Sequence, residues 1–410
     1  MEIHLDKSIA EEPWALEAQS IVRKCVHCGF CNATCPTYQL LGDEADGPRG
    51  RIYLITQLLE GKPADPKTRL HLDRCLLCRA CETTCPSGVP YGRLLETGRE
   101  MLDQQLQRTG FDRLKRKALT TLVPETGLIQ TGINISKPVQ RLLPNKMRAQ
   151  LPLQQKNLGR PKTIHSRKMI LLEGCAQSNL TPETNAAAAR VLDSFGIMLL
   201  PNAGKGCCGA LRLHNSAREK GLQDIRERID SLWPYIKDGV ESGIEAIISS
   251  ASGCGVTIKD YGHLLKDDPE YADKAEQIAK LSLDLSEVII AEVAKSPPDS
   301  AALPNLKLAF QSPCTLQHGQ KITGQIEALL QLYNFTILPV ADGHLCCGSA
   351  GTYSMLQPVL SGRLKADKLE KLQSHSPDII ATANVGCQLH LRSDAKVPVL
   401  HWIELLDNLV

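Results

Sequence analysis

Eight cysteines in the first ninety residues set the chemistry of this chain. Cys25, Cys28, Cys31 and Cys35, the last followed by Pro36, spell C-x2-C-x2-C-x3-C-P, and Cys75, Cys78, Cys81 and Cys85 with Pro86 spell it again. That spacing is the signature of a protein holding two [4Fe-4S] clusters, in which three closely spaced thiolates grip one cluster and the fourth reaches across to the other. It predicts Cys25, Cys28, Cys31 and Cys85 around one cluster and Cys75, Cys78, Cys81 and Cys35 around its neighbour. The crossing would tie both clusters into one rigid body, close enough for an electron to pass. A single C-x2-C would be a weak signal, since zinc ribbons and redox dithiols share it. Structural zinc, however, takes two pairs of ligands and has no use for a third cysteine and a Cys-Pro at fixed offsets, repeated.

The composition is consistent with this chemistry. Sixteen cysteines in 410 residues, in a chain whose first residues Met1 to Lys7 lack an apolar secretory core, point to a reducing cytoplasm and to metal ligation rather than disulfides. No run of about 18 apolar residues is present, so no membrane span is expected, and the length predicts two or three domains. The net charge of +2 excludes little, but residues 101–168 carry fourteen Lys or Arg against three acids. Such a basic stretch could lie on an anionic membrane surface or an acidic partner subunit, or be a plain soluble linker. Only sixteen aromatic residues are spread over the chain, so a zinc-dependent nucleic-acid module is disfavoured and no nucleic-acid partner is expected.

Helices must position the first cysteines. Apolar residues recur at helical spacing over 14–24, leading into Cys25, and again over Arg51 to Glu60, Tyr91 to Leu106 and Phe111 to Leu119. Thirty-nine residues separate Cys35 from Cys75, far more than a compact β-rich ferredoxin needs. Residues 1–100 therefore read as an α-helical ferredoxin domain, with Pro48 in the first turn of its inserted helix. Arg49 and Arg51 in that turn would either neutralise the anionic cluster–thiolate assemblies, dock a partner, or be solvated loop residues. Residues 101–168, punctuated by prolines, read as a basic connector.

A second repeat begins after the connector. Cys175, Cys207 and Cys208 recur as Cys314, Cys346 and Cys347, each displaced by 139 residues, and Cys254 recurs as Cys387, displaced by 133. In both copies a short apolar strand ends near the first cysteine, a helix and a second strand lead to Cys-Cys-Gly, and a third strand delivers the last cysteine. The fold class expected is thus α + α/β, with the helical ferredoxin domain followed by two repeated α/β lobes of parallel sheet, 169–300 and 301–410. Ligands collect beyond the carboxyl ends of such strands, so the four cysteines of each lobe should converge there as a second metal or redox site. Gly209 and Gly348 would let the backbone turn tightly behind each cysteine pair. A structural zinc ion, an ordinary iron–sulfur cluster, or no metal are all compatible with four thiols per lobe.

Other signals are weaker. Gly204 to Gly209 satisfies G-x-G-x-x-G, but the corresponding stretch at Gly343 lacks the middle glycine while keeping the cysteine pair, so the repeat is built around sulfur and not pyrophosphate. Histidines 27, 71, 214, 318, 344 and 390 lie near the motifs, and packing or surface roles are expected for each. No stretch reads as a catalytic residue set.

The whole pattern resembles the iron–sulfur subunits of bacterial glycolate oxidase (glycolate dehydrogenase). The resemblance is carried by Cys25 to Glu44, Asp46 to Ile55, His71 to Cys75, Cys81 to Gly88 and Ser252 to Gly262. The lobes alone also resemble subunits of anaerobic glycerol-3-phosphate dehydrogenase, lactate-utilisation proteins and heterodisulfide reductase. In the last of these a Cys-x-x-Cys ends the lobe, where this chain has Thr257 and His390 instead of a fifth cysteine. The resemblance implies an oxidoreductase electron-transfer subunit acting beside FAD-containing partner subunits that oxidise glycolate to glyoxylate. It further implies delivery of the electrons to a quinone or another acceptor, with the chain cytoplasmic or peripheral on the inner membrane.

Overall fold

The computed structural model of the chain describes residues 2–125, 159–200, 203, 206–239, 243–298 and 305–409. Most of the basic connector, 126–158, and Gly204 of the glycine motif lie outside these residues. The chain divides into two compact units, one made of Met1–Lys117, His214–Ser216 and His344–Lys368, the other of Ala118–Leu213, Ala217–Gly343 and Leu369–Val410. The segment that carries Cys346 and Cys347 therefore folds with the first unit.

The first unit is helical, as the periodicity predicts. Its helices are α1 (Pro13–Arg23), α2 (Phe30–Ala33), α3 (Pro36–Leu41), α4 (Pro48–Leu59), α5 (Pro66–Asp73), α6 (Ala80–Thr84) and α7 (Tyr91–Gln105). Proline opens α1, α3, α4 and α5, where a missing N–H costs nothing. Ile21 and Val22 of α1, Ile52, Ile55 and Leu59 of α4, and Leu94, Leu95 and Leu102 of α7 form one apolar core around the two cysteine loops. The α4–α7 crossing is so close that a Cβ on Gly98 would lie 2.6 Å from the side chain of Ile55.

One helix is built inside out. α8 (Gly110–Leu122) buries no residue, and Phe111 and Leu114 are 76% and 65% exposed. Its polar side instead faces the protein, where Arg116 pairs with Asp73 and Asp112.

The second unit holds two four-stranded parallel sheets with identical topology. β1 (Arg167–Leu171), β2 (Ile197–Leu199), β3 (Ile244–Ser249) and β4 (Ser282–Asp284) are ordered 2-1-3-4. β5 (Lys307–Gln311), β6 (Thr336–Leu338), β7 (Ile379–Thr382) and β8 (Val399–His401) are ordered 6-5-7-8. The three expected strands of each lobe are present. The fourth was not expected from sequence. A single apolar core runs through both sheets, from Met169 and Ile248 to Leu308, Ala381 and Trp402.

The residues ending the two fourth strands join the sheets reciprocally. Asp284 caps the helix Leu285–Lys295 and accepts from Gln320 of the other repeat at 3.1 Å. His401 caps the helix Trp402–Asp407, its Nδ1 accepting from the Ile403 N–H, so its Nε2 carries the proton and donates to the Ser250 carbonyl at 2.8 Å. Each sheet thus holds a cap belonging to the other.

This arrangement fixes a pH response. Complete burial lowers the pKa of His401 from 6.5 to about 4, because protonating Nδ1 would bury a charge and break the cap. Between those values the unfolded chain binds a proton that the native protein refuses, so the contribution is full above pH 6.5 and is lost as pH falls toward 4. The lost stability is roughly 3 kcal/mol at 1.36 kcal/mol per unit. Chemical denaturation followed by far-UV circular dichroism should show this decline, and His401→Gln should flatten it.

Candidate iron–sulfur centres

The two cysteine loops share one backbone solution. In the first, Cys25 follows α1, left-handed residues His27 and Gly29 (φ 54° and 84°) turn the chain, Cys31 sits on α2, and Cys35 is the N-cap of α3. In the second, Cys75 follows α5, left-handed Leu77 and Arg79 (φ 55° and 62°) turn the chain, Cys81 sits on α6, and Cys85 ends it. Leu77 and Arg79 hold this conformation without glycine, at a cost on the order of 1 kcal/mol each. In return the turns aim backbone N–H groups at sulfur, as when the Leu77 N–H donates to Cys75 Sγ at 3.5 Å.

The thiols group across the two loops. Cys25, Cys28, Cys31 and Cys85 line one partly open pocket, with Val26, Pro48, Arg49 and Pro86 in its wall and Cys81 and Tyr91 also touching it. Cys81 in turn lies in the field of Cys78, Cys75 and Cys35. Burial, and then Cys25, push the Cys31 thiol up to about 11, and burial raises the Cys81 thiol as well, so metal binding at these groups must displace protons.

Thiol spacing separates a cluster from a single ion. Tetrahedral zinc with Zn–S bonds of about 2.3 Å would draw its sulfurs to roughly 3.8 Å of one another. Among the described residues no three thiols lie mutually within 4.8 Å; the group of three that does so is Asp43, Asp46 and His71. That trio is not a free cation site, because Asp46 already pairs with Arg74 at 2.8 Å and Arg51 at 3.4 Å, with His71 Nδ1 3.1 Å away. The cysteines fit a multi-iron cage.

Arg51, on the same carboxylate, is wholly buried. Its Nε donates to the His71 carbonyl at 2.7 Å, its Nη2 to Thr37 Oγ1 at 3.1 Å, and its Nη1 points at Cys35 Sγ from 4.0 Å. Burial opposes its charge, but the thiolates of Cys75 and Cys35, with Tyr91 and Asp46, prevail and keep it protonated. Arg49, two residues earlier, is 36% exposed and pairs with Glu44 at 2.6 Å. The solvated reading thus fails for Arg51. Sequence reasoning missed Asp46, Thr37, Arg74, and Tyr91, whose hydroxyl donates to Cys75 Sγ at 3.7 Å. An aspartate just before a Pro-Arg-Gly-Arg helix start was the available clue.

In the α/β unit Cys175, Cys207, Cys208 and Cys254 converge beyond the carboxyl ends of β1, β2 and β3. They make a line of thiol contacts, Cys175 to Cys207, Cys207 to Cys208 and Cys208 to Cys254. Gly209 is left-handed (φ 84°), and a Cβ there would meet the Gly221 carbonyl at 2.7 Å; Gly348 repeats both features, at φ 88° and 2.7 Å from the Ser361 carbonyl. Asp224, whose carboxylate faces Cys207, is raised by burial despite its pairing with Arg212. In the second copy Cys314 follows β5 and Cys387 follows β7, while Cys346 and Cys347 belong to the first unit. There Tyr353 donates to the Arg74 carbonyl at 3.1 Å, and its phenol is raised by burial and then by Cys75 and Cys346.

Comparison with known proteins agrees with this geometry. A 4Fe-4S dicluster domain model matches residues 21–89, and a cysteine-rich domain model matches twice, at 169–259 and 308–392. The chain is 49% identical over 410 residues to the glycolate oxidase iron-sulfur subunit of Escherichia coli K12, covering 100% of this chain and 99% of that one. The chain belongs to the glycolate oxidase iron–sulfur subunit family. A probable member from Bacillus subtilis is 29% identical over 93% of this chain and 92% of its own length. Lactate utilization protein A of the same organism is 24% identical over 59% of this chain and 99% of its own length. The full-length family match therefore outranks the lactate-utilisation alternative.

Breaking the ion pairs of Asp46 should be costly. Asp46→Ala leaves two guanidinium groups without their shared carboxylate and should destabilise the first unit by about 3–5 kcal/mol, measured by anaerobic chemical denaturation.

Proposed function

We propose that the chain is the electron relay of a glycolate-oxidising complex, with Cys25, Cys28, Cys31 and Cys85 ligating one [4Fe-4S] cluster and Cys75, Cys78, Cys81 and Cys35 the other. The crossed grouping of thiols supports this most directly. Such clusters, when bound, exchange single electrons with little reorganisation. The protein's own part is to hold the two sites in one apolar helical core, exclude water from their inner sides and supply fixed positive charge. Oxidation of the 2-hydroxy acid would then belong to FAD-containing partner subunits. The mouth of the first site suits their approach, since Val26 and Phe30 are 67% and 62% exposed beside the exposed Cys28.

The cysteine-rich lobes would hold a further redox or metal site, with Cys175, Cys207, Cys208 and Cys254 as its ligand set.

Anaerobically purified protein should be brown, contain at least about eight iron and eight sulfide, and bleach on reduction. A zinc-loaded, colourless preparation would refute the relay reading. The flavoproteins that co-purify should reduce a dye with glycolate; activity with glycerol 3-phosphate or lactate alone would transfer the assignment to those complexes.

Peripheral contact with a quinone-bearing membrane on its cytoplasmic face is favoured by α8, whose outward apolar stripe is flanked by Arg113 and Lys117. No helix among the described residues is long and apolar enough to cross a membrane. Sedimentation with anionic vesicles should fall several-fold in a Phe111→Asp, Leu114→Asp double variant, with neutral vesicles as the control.

A further inference from the structure

One buried oxygen beside the cysteines of the first lobe has no donor. Asp224 lies on the inward face of the helix Arg218–Ile236, with Gly221, Ile225 and Arg228, and is only 7% exposed. Its Oδ1 pairs with Arg212 Nη1. The other nitrogens of Arg212 are engaged elsewhere, Nε on the Thr120 carbonyl at 3.0 Å and Nη2 on Glu125 at 3.3 Å, so Arg212 does not serve the second oxygen. That second oxygen, Oδ2, is buried without a donor in hydrogen-bonding geometry, on a carboxylate that faces Cys207. A carboxylate can only accept, and burying an acceptor unmet is costly. Packing does not demand an acid here. The Gly221 carbonyl backs Gly209 behind the cysteine pair, and Asp224 follows one turn later. The second repeat keeps that contact, Ser361 behind Gly348, but continues with Gly362, Arg363, Leu364 and Lys365, none of them an acid.

We propose that Asp224 is an oxygen ligand of the metal site in the first lobe, bound through Oδ2 beside Cys207, so that Cys175, Cys207, Cys208 and Cys254 supply sulfur and the helix Arg218–Ile236 supplies oxygen. The inference rests on the proposal above that this lobe binds metal. Cysteine ligates as the thiolate. A thiolate at Cys207 facing an unengaged carboxylate oxygen is a repulsive pair where little water screens it, and Glu227 and Glu125 add to the negative charge that Arg212 must offset. A cation shared by both groups turns that repulsion into ligation. Carboxylate oxygen is an established donor to zinc and to iron alike. Arg212, by holding Oδ1, would orient the carboxylate to bind through one oxygen, as hydrogen-bonded partners orient ligands in other metal sites. The carboxylate lies outside the cysteine spacing, sixteen residues beyond Cys208, so no motif announces it.

The test counts metal per chain by mass spectrometry in full-length protein purified anaerobically. Cys207→Ser defines the metal that belongs to the lobe, as the amount lost relative to wild type. Asp224→Asn, which keeps the shape but is a poor ligand, should lose at least about half of that amount. Asp224→Cys, which offers a ligand but no carboxylate to Arg212, should keep it. A purely structural ion pair predicts the opposite for Asp224→Cys, so loss of the metal there would overturn the proposal, as would full retention in Asp224→Asn. Far-UV circular dichroism checks that each variant folds, and Asp224→Ser takes the place of Asp224→Asn if the latter does not. A Cys207→Ser protein with all of the wild-type metal would instead refute metal binding by the lobe, so the two failures are distinguishable.

Discussion

A cluster cage concentrates negative charge in a core made of leucine and isoleucine, and one wholly buried arginine answers it. Arg51 bonds to residues of α3, the turn before α4, and α5, which places it between the chain leaving the first cysteine motif and the chain entering the second. The thirty-nine residues between the motifs, which a minimal ferredoxin would not need, supply that arginine, its partner Asp46 and the helix that carries both into the core. Burying such a pair is not in itself stabilising, since desolvation offsets most of the attraction. Its value lies in the thiolates beside it, for which it supplies a buried counter-charge.

The α/β unit solves a different problem, joining two copies of one sheet without leaving either apolar face wet. Continuity of the core does most of this, and reciprocal caps fix the register. Asp284 and His401 occupy the same place in their repeats, yet one is a carboxylate raised by burial and the other an imidazole lowered by it. The two copies have thus kept their geometry while their chemistry has diverged. The glycines behind the cysteine pairs have not diverged, because a carbonyl 2.7 Å from any added Cβ forbids it in both.

The sequence made legible whatever is periodic or repeated. The cysteine spacing, the helices at 13–23, 48–59 and 91–105, six of the eight strands and the left-handed glycines 209 and 348 could all be read from it. What could not be read depends on tertiary contact. Arg49 and Arg51 are indistinguishable in a string of letters; about half a helical turn decides that the first is partly exposed and the second faces the core. Leu77 and Arg79 carry no glycine to announce their left-handed turns, and the repeat of Gly29 at Arg79 hides the equivalence. β4 and β8 follow the last cysteine of each repeat and have no motif to mark them. Nor does the linear order reveal that Cys346 and Cys347 fold with the first unit while Cys314 and Cys387 remain in the second.

That last division bears on how a relay can be built. A subunit that only conducts needs no substrate pocket, but it does need its redox sites to be rigid relative to one another, because the rate of an electron step falls steeply with distance. Tyr353 addresses this from the segment that bears the second cysteine pair: its hydroxyl is anchored on the Arg74 carbonyl, immediately before Cys75, and its ring lies in the fields of Cys75 and Cys346. Arg74 itself is pinned by Asp46. The carboxylate that balances the buried arginine therefore also holds the strand of contacts leading from Cys75 toward Cys346, and a change at Asp46 reaches both. A conductor designed for separate adjustment of each site would not share this residue; one designed to keep its sites at fixed spacing would.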